Sequence, residues 1–390
     1  MTTPRAIRLD RVKPQLFLAA RLLPLALAAT GCDRVASFTS RAGADTVYVG
    51  VAVGLRTPER YVDVFTGVQM ALDRLNAGRP DDAPVLALKR APDSARTVVD
   101  VALAFRDDPT VVGVVGHTET DATIDAAPIY DDRTNGGKRA LVAVTPIAGG
   151  SQVTRVSEWV FRTCPVLAMT AEVLARFARD SLHATRAAVI YRNDPMGKEF
   201  RDAFHAEFRR GGGVVEEADP FTEDIAEFSA YGARIARRGI PLIAMAGNTP
   251  DIHLALRTAR AAGANPYMLS LNAPPPIDQV SGRHEYVGWH YLANFSADAP
   301  PTDEGARFVD EFRKTHGRLP DHWSALSFDA AMLIGRAVQD VGPDRKRIRD
   351  WIAEVGRSRP AHIGVSGRIA FDEEGDPVDK PVLVRTEGAR

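Results

Sequence analysis

Four short stretches carry the residue types that recognise small polar molecules. They are Gly116-His117-Thr118-Glu119-Thr120-Asp121, Thr145-Pro146-Ile147-Ala148-Gly149-Gly150-Ser151, Asn193-Asp194-Pro195-Met196-Gly197 and Gly247-Asn248-Thr249-Pro250-Asp251, each following an apolar, β-branched run. Glycines and small polar residues at such points let backbone N–H groups and short side chains approach a ligand. Thr118 and Asp121 have capping-box spacing and Thr120 falls in the first helical turn, so free amides and a hydroxyl would face one point suited to a carboxylate. The same threonines also serve simply to cap a helix. In the fourth stretch Thr249 reads as N-cap with Pro250 at the first helical position.

Covalent chemistry finds no comparable set. Gly197-Lys198 lacks the upstream glycine of a phosphate loop, and His284-Glu285 has Gly288 where a zinc-protease helix needs its second histidine. Ser366, in Gly364-Val365-Ser366-Gly367-Arg368, misses the last glycine of a nucleophile elbow. The nine histidines show no ligand-like spacing, so no metal, cofactor or enzymatic activity is expected. An α/β enzyme acting through Asp194 or Asp251 is the weakest of the readings left open.

The elements that must position these turns alternate. Val47 to Val53 is a β-branched run, and Val64, Phe65, Val68, Ala71, Leu72 and Leu75 then share a face at helical spacing. The pair recurs with strands at Pro84 to Leu88, Thr110 to Val115 and Ala140 to Thr145 and helices opened near Ser94 and Thr120. A second series has helices at Ala168 to Leu182, Gly197 to Arg210, Ile225 to Arg238 and Pro250 to Ala262, around strands at Ala187 to Tyr191, Val214-Val215, Pro241 to Ala246 and Tyr267 to Leu271. Strands joined by helices pair in parallel with right-handed crossovers, so the expected fold is α/β with two doubly wound halves. Asp303 to Val355 is helical in period, and Gly367 to Phe371 with Pro381 to Val384 reads as a hairpin around Glu374-Gly375-Asp376.

The chain of 390 residues, 45% hydrophobic and 25% charged with a formal net charge of -1, is of ordinary globular composition and carries no basic face for nucleic acid. Its first residues differ from the rest. Arg5, Arg8, Arg11, Lys13 and Arg21 precede an apolar run from Leu22 to Ala29 that ends in Thr30-Gly31-Cys32, too short to span a bilayer and ordered like a signal peptide. Small residues followed by cysteine resemble the bacterial lipobox, with Ala29 where leucine is preferred. That resemblance implies cleavage before Cys32 and its acylation, which anchors a soluble protein at a membrane surface in the periplasm or on the cell surface. Loss of residues 1–31 removes five bases and one acid, taking the formal charge from -1 to -5. Cys164 is left as the single other cysteine, expected to be a small buried hydrophobe.

From Val47 to about Val384 the sequence resembles the type I periplasmic solute-binding proteins of ABC importers, the leucine/isoleucine/valine-binding group. The likeness rests on Val51-Ala52-Val53-Gly54, Phe65-Thr66-Gly67, Leu75-Asn76-Ala77, Val114-Val115-Gly116-His117, Pro128-Ile129-Tyr130, Thr145-Pro146, Phe161-Arg162-Thr163, Phe328-Asp329-Ala330 and Gly367 to Asp376, in order and spacing. It implies two Rossmann-like lobes with parallel sheets, joined by three crossovers near Thr163 to Pro165, Asn294 to Ser296 and Pro360 to His362. The expected organisation is signal peptide 1–31, lipidated cysteine and tether 32–45, first lobe 46–163 plus 297–360, and second lobe 164–296 plus 361–390.

Carried over position by position, the resemblance implies that Thr120 holds a ligand carboxylate, Tyr61 covers the ligand, and the backbone at Ile147 and Ala148 contacts it. Gly149 stands where the family has a threonine, Met196 where it has a tyrosine, and Asn272 near the acid that meets the ligand ammonium. Thr118 and Asn248 complete the expected site. Without a carboxylate partner a buried ammonium costs several kcal/mol, on the order of the ionic desolvation penalty, so the expected solute is a small carboxylate or amide lacking a free α-ammonium. A monomer working with ABC permease subunits is expected; the alternative is a sensing module of the same fold coupled to a membrane receptor.

Overall fold

The computed structural model describes residues 46–55, 61–222, 227–274 and 280–386. The export segment, Cys32 and the tether lie outside the described residues. The first series is β1 (Thr46–Ala52), α1 (Val62–Ala77), β2 (Val85–Arg90), α2 (Val98–Asp107), β3 (Val111–Gly116), α3 (Thr120–Tyr130), β4 (Ala143–Thr145) and β5 (Val160–Arg162). Its strands form one parallel sheet in the order β2-β1-β3-β4-β5. All of β3 is buried, which is why Val-Val-Gly-Val-Val-Gly reads as a continuous apolar run instead of alternating. α2 begins after Thr97, not at Ser94, because the Thr97 hydroxyl accepts from the Asp100 N–H while the Asp100 carboxylate accepts from the Thr97 N–H.

The second series is α4 (Leu167–Asp180), β6 (Arg186–Arg192), α5 (Pro195–Arg210), β7 (Val214–Phe221), α6 (Ser229–Arg238), β8 (Leu242–Ala246), α7 (Thr249–Ala261), β9 (Tyr267–Ser270) and β10 (Trp289–Ala293). Phe200, Phe204 and Phe208 recur every four residues on α5 and bury one face of this sheet together with Leu174 of α4. Ile235, Ile252 and Leu256 bury the other. Two covered faces are what parallel strands require.

The chain then returns. α8 (Asp303–His316), α9 (His322–Val341), α10 (Arg345–Ala353) and the hairpin of β11 (His362–Gly364) and β12 (Gly367–Ile369) pack into the core of the first sheet. α9 is buried without interruption from Ser324 to Gly335, since it lies between α1 and the sheet. A β-carbon on Gly67 of α1 would lie 2.1 Å from the Ser324 carbonyl oxygen, so the two helices touch backbone to backbone only because residue 67 has no side chain.

β13 (Leu383–Thr386) pairs antiparallel with β10, giving the second sheet the order β13-β10-β9-β8-β6-β7. The expected hairpin between 367–371 and 381–384 therefore does not form. Ile369 and Phe371 bury themselves in the first core, whereas β13 finds the open edge of the second sheet. The turn at 374–376 instead closes Phe371 onto Pro377. By the same packing, the last passage between sheets runs between 372 and 382, beyond the boundary expected at residue 361.

A candidate ligand-binding cleft

The carboxyl ends of both sheets meet at one cavity of about 310 Å³, the usual place for a ligand in open α/β folds. Pro146, Ile147 and Gly149 wall it from the turn after β4; Arg192, Asp194 and Met196 from the turn into α5; Asn248 from the turn into α7; Leu271 and Asn272 from the end of β9. Asn294, just past β10, and His322, Trp323 and Leu326, at the start of α9, close the remaining sides.

Several expected residues lie elsewhere or act differently. The Thr118–Asp121 box does not form: α3 starts after Glu119 with no side-chain cap, and the Thr118 hydroxyl accepts from the Gly54 N–H at 3.1 Å. Thr120 is buried and its hydroxyl accepts from the Gly150 N–H at 3.2 Å, tying two turns of the first lobe together outside the cavity lining. Ala148 is also off the lining, its N–H donating to Thr145 Oγ1 and its carbonyl accepting from Arg162. Tyr61 stacks on Trp323 with centroids 5.2 Å apart and donates to Glu119 at 3.1 Å, so Trp323 is the aromatic at the cavity and Tyr61 stands behind it. Ile147, Gly149, Met196, Asn248 and Asn272 do line the cavity together. Asn248, not Thr249, caps α7, its Oδ1 accepting from the Asp251 N–H.

Sequence reasoning named Asp194 but missed Arg192 as its partner. Arg192 and Asp194 form an ion pair at the cavity wall, and Asp194 caps α5 by accepting from the Gly197 N–H at 2.7 Å. The second lobe thus brings a carboxylate after all, already engaged by a guanidinium. Burial holds the His322 imidazole below its ordinary pKa and raises the carboxyl of Asp321 beside it. Cys164 is buried at the cavity floor with its thiol pushed up to about 11, so it is an unreactive wall.

Two polar clusters hold the walls in place. Arg162 is fully buried; its Nε donates to Asp376 Oδ1, one terminal nitrogen to the Gly150 and Ala148 carbonyls at 2.8 and 3.3 Å, and the other to Thr154 Oγ1 at 3.1 Å. Thr154 itself donates to Asp376 at 2.7 Å. One guanidinium therefore fixes the turn that carries Ile147 and Gly149. The second cluster ties the last passage between lobes to the first core: Asp329 of α9 accepts from the Val365 and Ser366 N–H groups and the Ser366 hydroxyl, and Lys380 donates to Ser366 Oγ at 2.7 Å. Burial lowers Lys380 to about 8. Across the cleft, Ser151 donates through both its N–H and its hydroxyl to Glu199 of α5.

Two sheet-built lobes whose turns share one cavity define a two-lobed ligand-binding fold. Comparison with known proteins agrees. A family model described as periplasmic binding protein matches residues 46–385, and the chain belongs to that family. An amino acid binding protein of Pseudomonas aeruginosa is 25% identical over 370 residues, 92% of this chain and 94% of its own. The branched-chain amino acid transporter substrate binding protein of Streptococcus pneumoniae, solved with isoleucine, has a TM-score of 0.75 at 18% identity and covers 88% of this chain and 96% of its own. A solute binding protein of an ABC transporter from Rhodopseudomonas palustris, solved with 3,4-dihydroxy benzoic acid, has a TM-score of 0.69 at 18% identity, with 88% and 93% covered. The chain is accordingly a binding protein and not an enzyme, and its family places it outside the cytoplasm.

Proposed function

We propose that this protein is the substrate-binding lipoprotein of an ABC importer, held at the membrane by acyl chains on Cys32 and delivering a small solute to permease subunits. The observation that carries the reading is the cavity itself, whose walls come from both lobes and from Asn294 and Cys164 on the passages between them. A ligand there bridges both lobes and stabilises only the closed arrangement. About 310 Å³ suits a body the size of an amino acid or a single aromatic ring. Relatives that bind amino acids and a neighbour solved with an aromatic acid support that size class. Trp323, Ile147, Met196 and Leu271 receive the apolar part of the solute.

The test is a thermal-shift screen of amino acids, aromatic acids and their amides, followed by small-angle scattering with each hit. A true solute raises the melting temperature by mass action and reduces the radius of gyration. A hit that leaves the radius of gyration unchanged refutes closure around the cavity.

A further inference from the structure

The atoms that the protein leaves unspent in this cavity define the polar group of its solute. Asn248 uses its Oδ1 to accept from the Asp251 N–H at 3.0 Å, which fixes the amide orientation because a backbone N–H only donates. Its Nδ2, a donor, remains. Asn272 uses its Nδ2 to donate to the Gly247 carbonyl at 2.8 Å, an orientation fixed because a carbonyl only accepts. Its Oδ1, an acceptor, remains. Asn294 has a buried Oδ1 with no hydrogen-bond partner among the described residues, so no contact fixes which of its amide atoms faces a ligand. All three asparagines line the cavity.

The charged groups there are occupied. Arg192 and Asp194 answer each other, Asp194 also caps α5, and no unengaged cation or carboxylate among the described lining residues awaits a ligand ion. The Thr170 hydroxyl donates to the Leu167 carbonyl at 2.6 Å. A carboxylate brought to Asn248 and Asn272 would meet one fixed donor and one fixed acceptor, and an ammonium would meet an acceptor without a counter-charge; each sets like polarity against like.

One fixed donor and one fixed acceptor match a primary carboxamide, which carries an accepting oxygen beside N–H donors. Resting on the reading of this cavity as the solute site, we propose that the protein selects a neutral primary amide borne on a compact apolar or aromatic body. The ligand carbonyl accepts from Asn248 Nδ2, one of its N–H groups donates to Asn272 Oδ1, and its body lies against Trp323. This separates the protein from its amino-acid-binding relatives through neutral side chains and no ionic contact.

Matched pairs test it by calorimetry on the purified full chain at pH 7.5: benzamide against benzoate, and isovaleramide against isovalerate and leucine. At least one amide is expected to bind ten times or more tightly than its acid. Asn248→Asp keeps the oxygen that caps α7 and removes the donor, so it should weaken amide binding tenfold or more with no loss of melting temperature. Trp323→Ala should weaken every ligand that uses the site. Tighter binding of an acid or of leucine, lost in Trp323→Ala, overturns the amide proposal and leaves the solute-binding reading standing. Absence of binding across the panel overturns the amide proposal alone, and binding indifferent to Trp323→Ala overturns the cavity as the solute site as well.

Discussion

Removing the Asp376 carboxylate should cost more stability than its place in a surface turn implies. Its partner, Arg162, is fully buried, and the pair meets at 2.5 Å with no solvent to take over when one member is lost. Breaking a buried ion pair from one side typically costs about 3–5 kcal/mol, because the remaining charge stays desolvated. In Asp376→Ala, Arg162 retains the Gly150, Ala148 and Thr154 oxygens, which places the expected loss toward the lower end, about 3 kcal/mol. The turn after β4 also loosens, so ligand affinity falls with stability. Urea denaturation read by tryptophan fluorescence measures the first effect and calorimetry the second. The double variant Arg162→Met, Asp376→Leu removes both charges and should be more stable than Asp376→Ala. Glu374, two residues away in the same turn, pairs with Arg155, both about half exposed; this pair forms the internal control, and breaking it should change stability little. A loss below about 1 kcal/mol in Asp376→Ala, or a double variant no better than the single one, refutes the argument that desolvation sets the cost.

Glu199→Gln weakens the bonds that Ser151 makes across the cleft, and a lost charge-assisted hydrogen bond of about 1.5–3 kcal/mol predicts roughly tenfold or greater weakening of solute affinity, mainly through faster release in stopped-flow measurements. Burial lowers His117 from its ordinary 6.5 to about 4. The unfolded chain therefore binds more protons between those values and stability falls as pH drops through that window, by up to about 3 kcal/mol. His117→Gln should flatten this part of the pH profile in chemical denaturation, and an unchanged slope would contradict the assignment. Cys32→Ser should move the protein from the membrane pellet to the soluble envelope fraction; continued pelleting in high salt would show that something other than acylation holds it.

The alternation of β-branched runs with helical periodicity made both parallel sheets legible, because period and run length report how many faces of an element are covered. Strand ends were legible for the same reason, and with them the turns that carry Met196 and Asn248, whereas Asn272 came only from the family resemblance. What lay beyond reach was contact across long sequence separation. Trp323 enters the cavity from α9, far from the Tyr61 ring on which it stacks, and only the close packing of α1 against α9 at Gly67 brings them together. Capping patterns misled for a related reason. Thr118 and Thr120 have the spacing to cap α3, yet the N–H groups of Gly54 and Gly150 compete for their hydroxyls, and neither competitor is local. The hairpin expected near the last strand failed because the edge of β10, about ninety residues earlier, offered β13 a ladder that local pairing could not match.

The interleaving of the chain also governs when it can fold. The first core needs α9 and the 365–371 segment to cover α1 and β1, and the second sheet keeps a bare edge along β10 until residues 383–386 arrive. Neither half is a foldable unit as it leaves the ribosome, and no single cut in the chain yields one intact lobe. The nascent polypeptide consequently spends nearly all of its synthesis without a finished core, dependent on contacts of high sequence separation that form slowly and late. For a protein whose family places it outside the cytoplasm, a topology that postpones collapse leaves the chain open until its own last strand is in place.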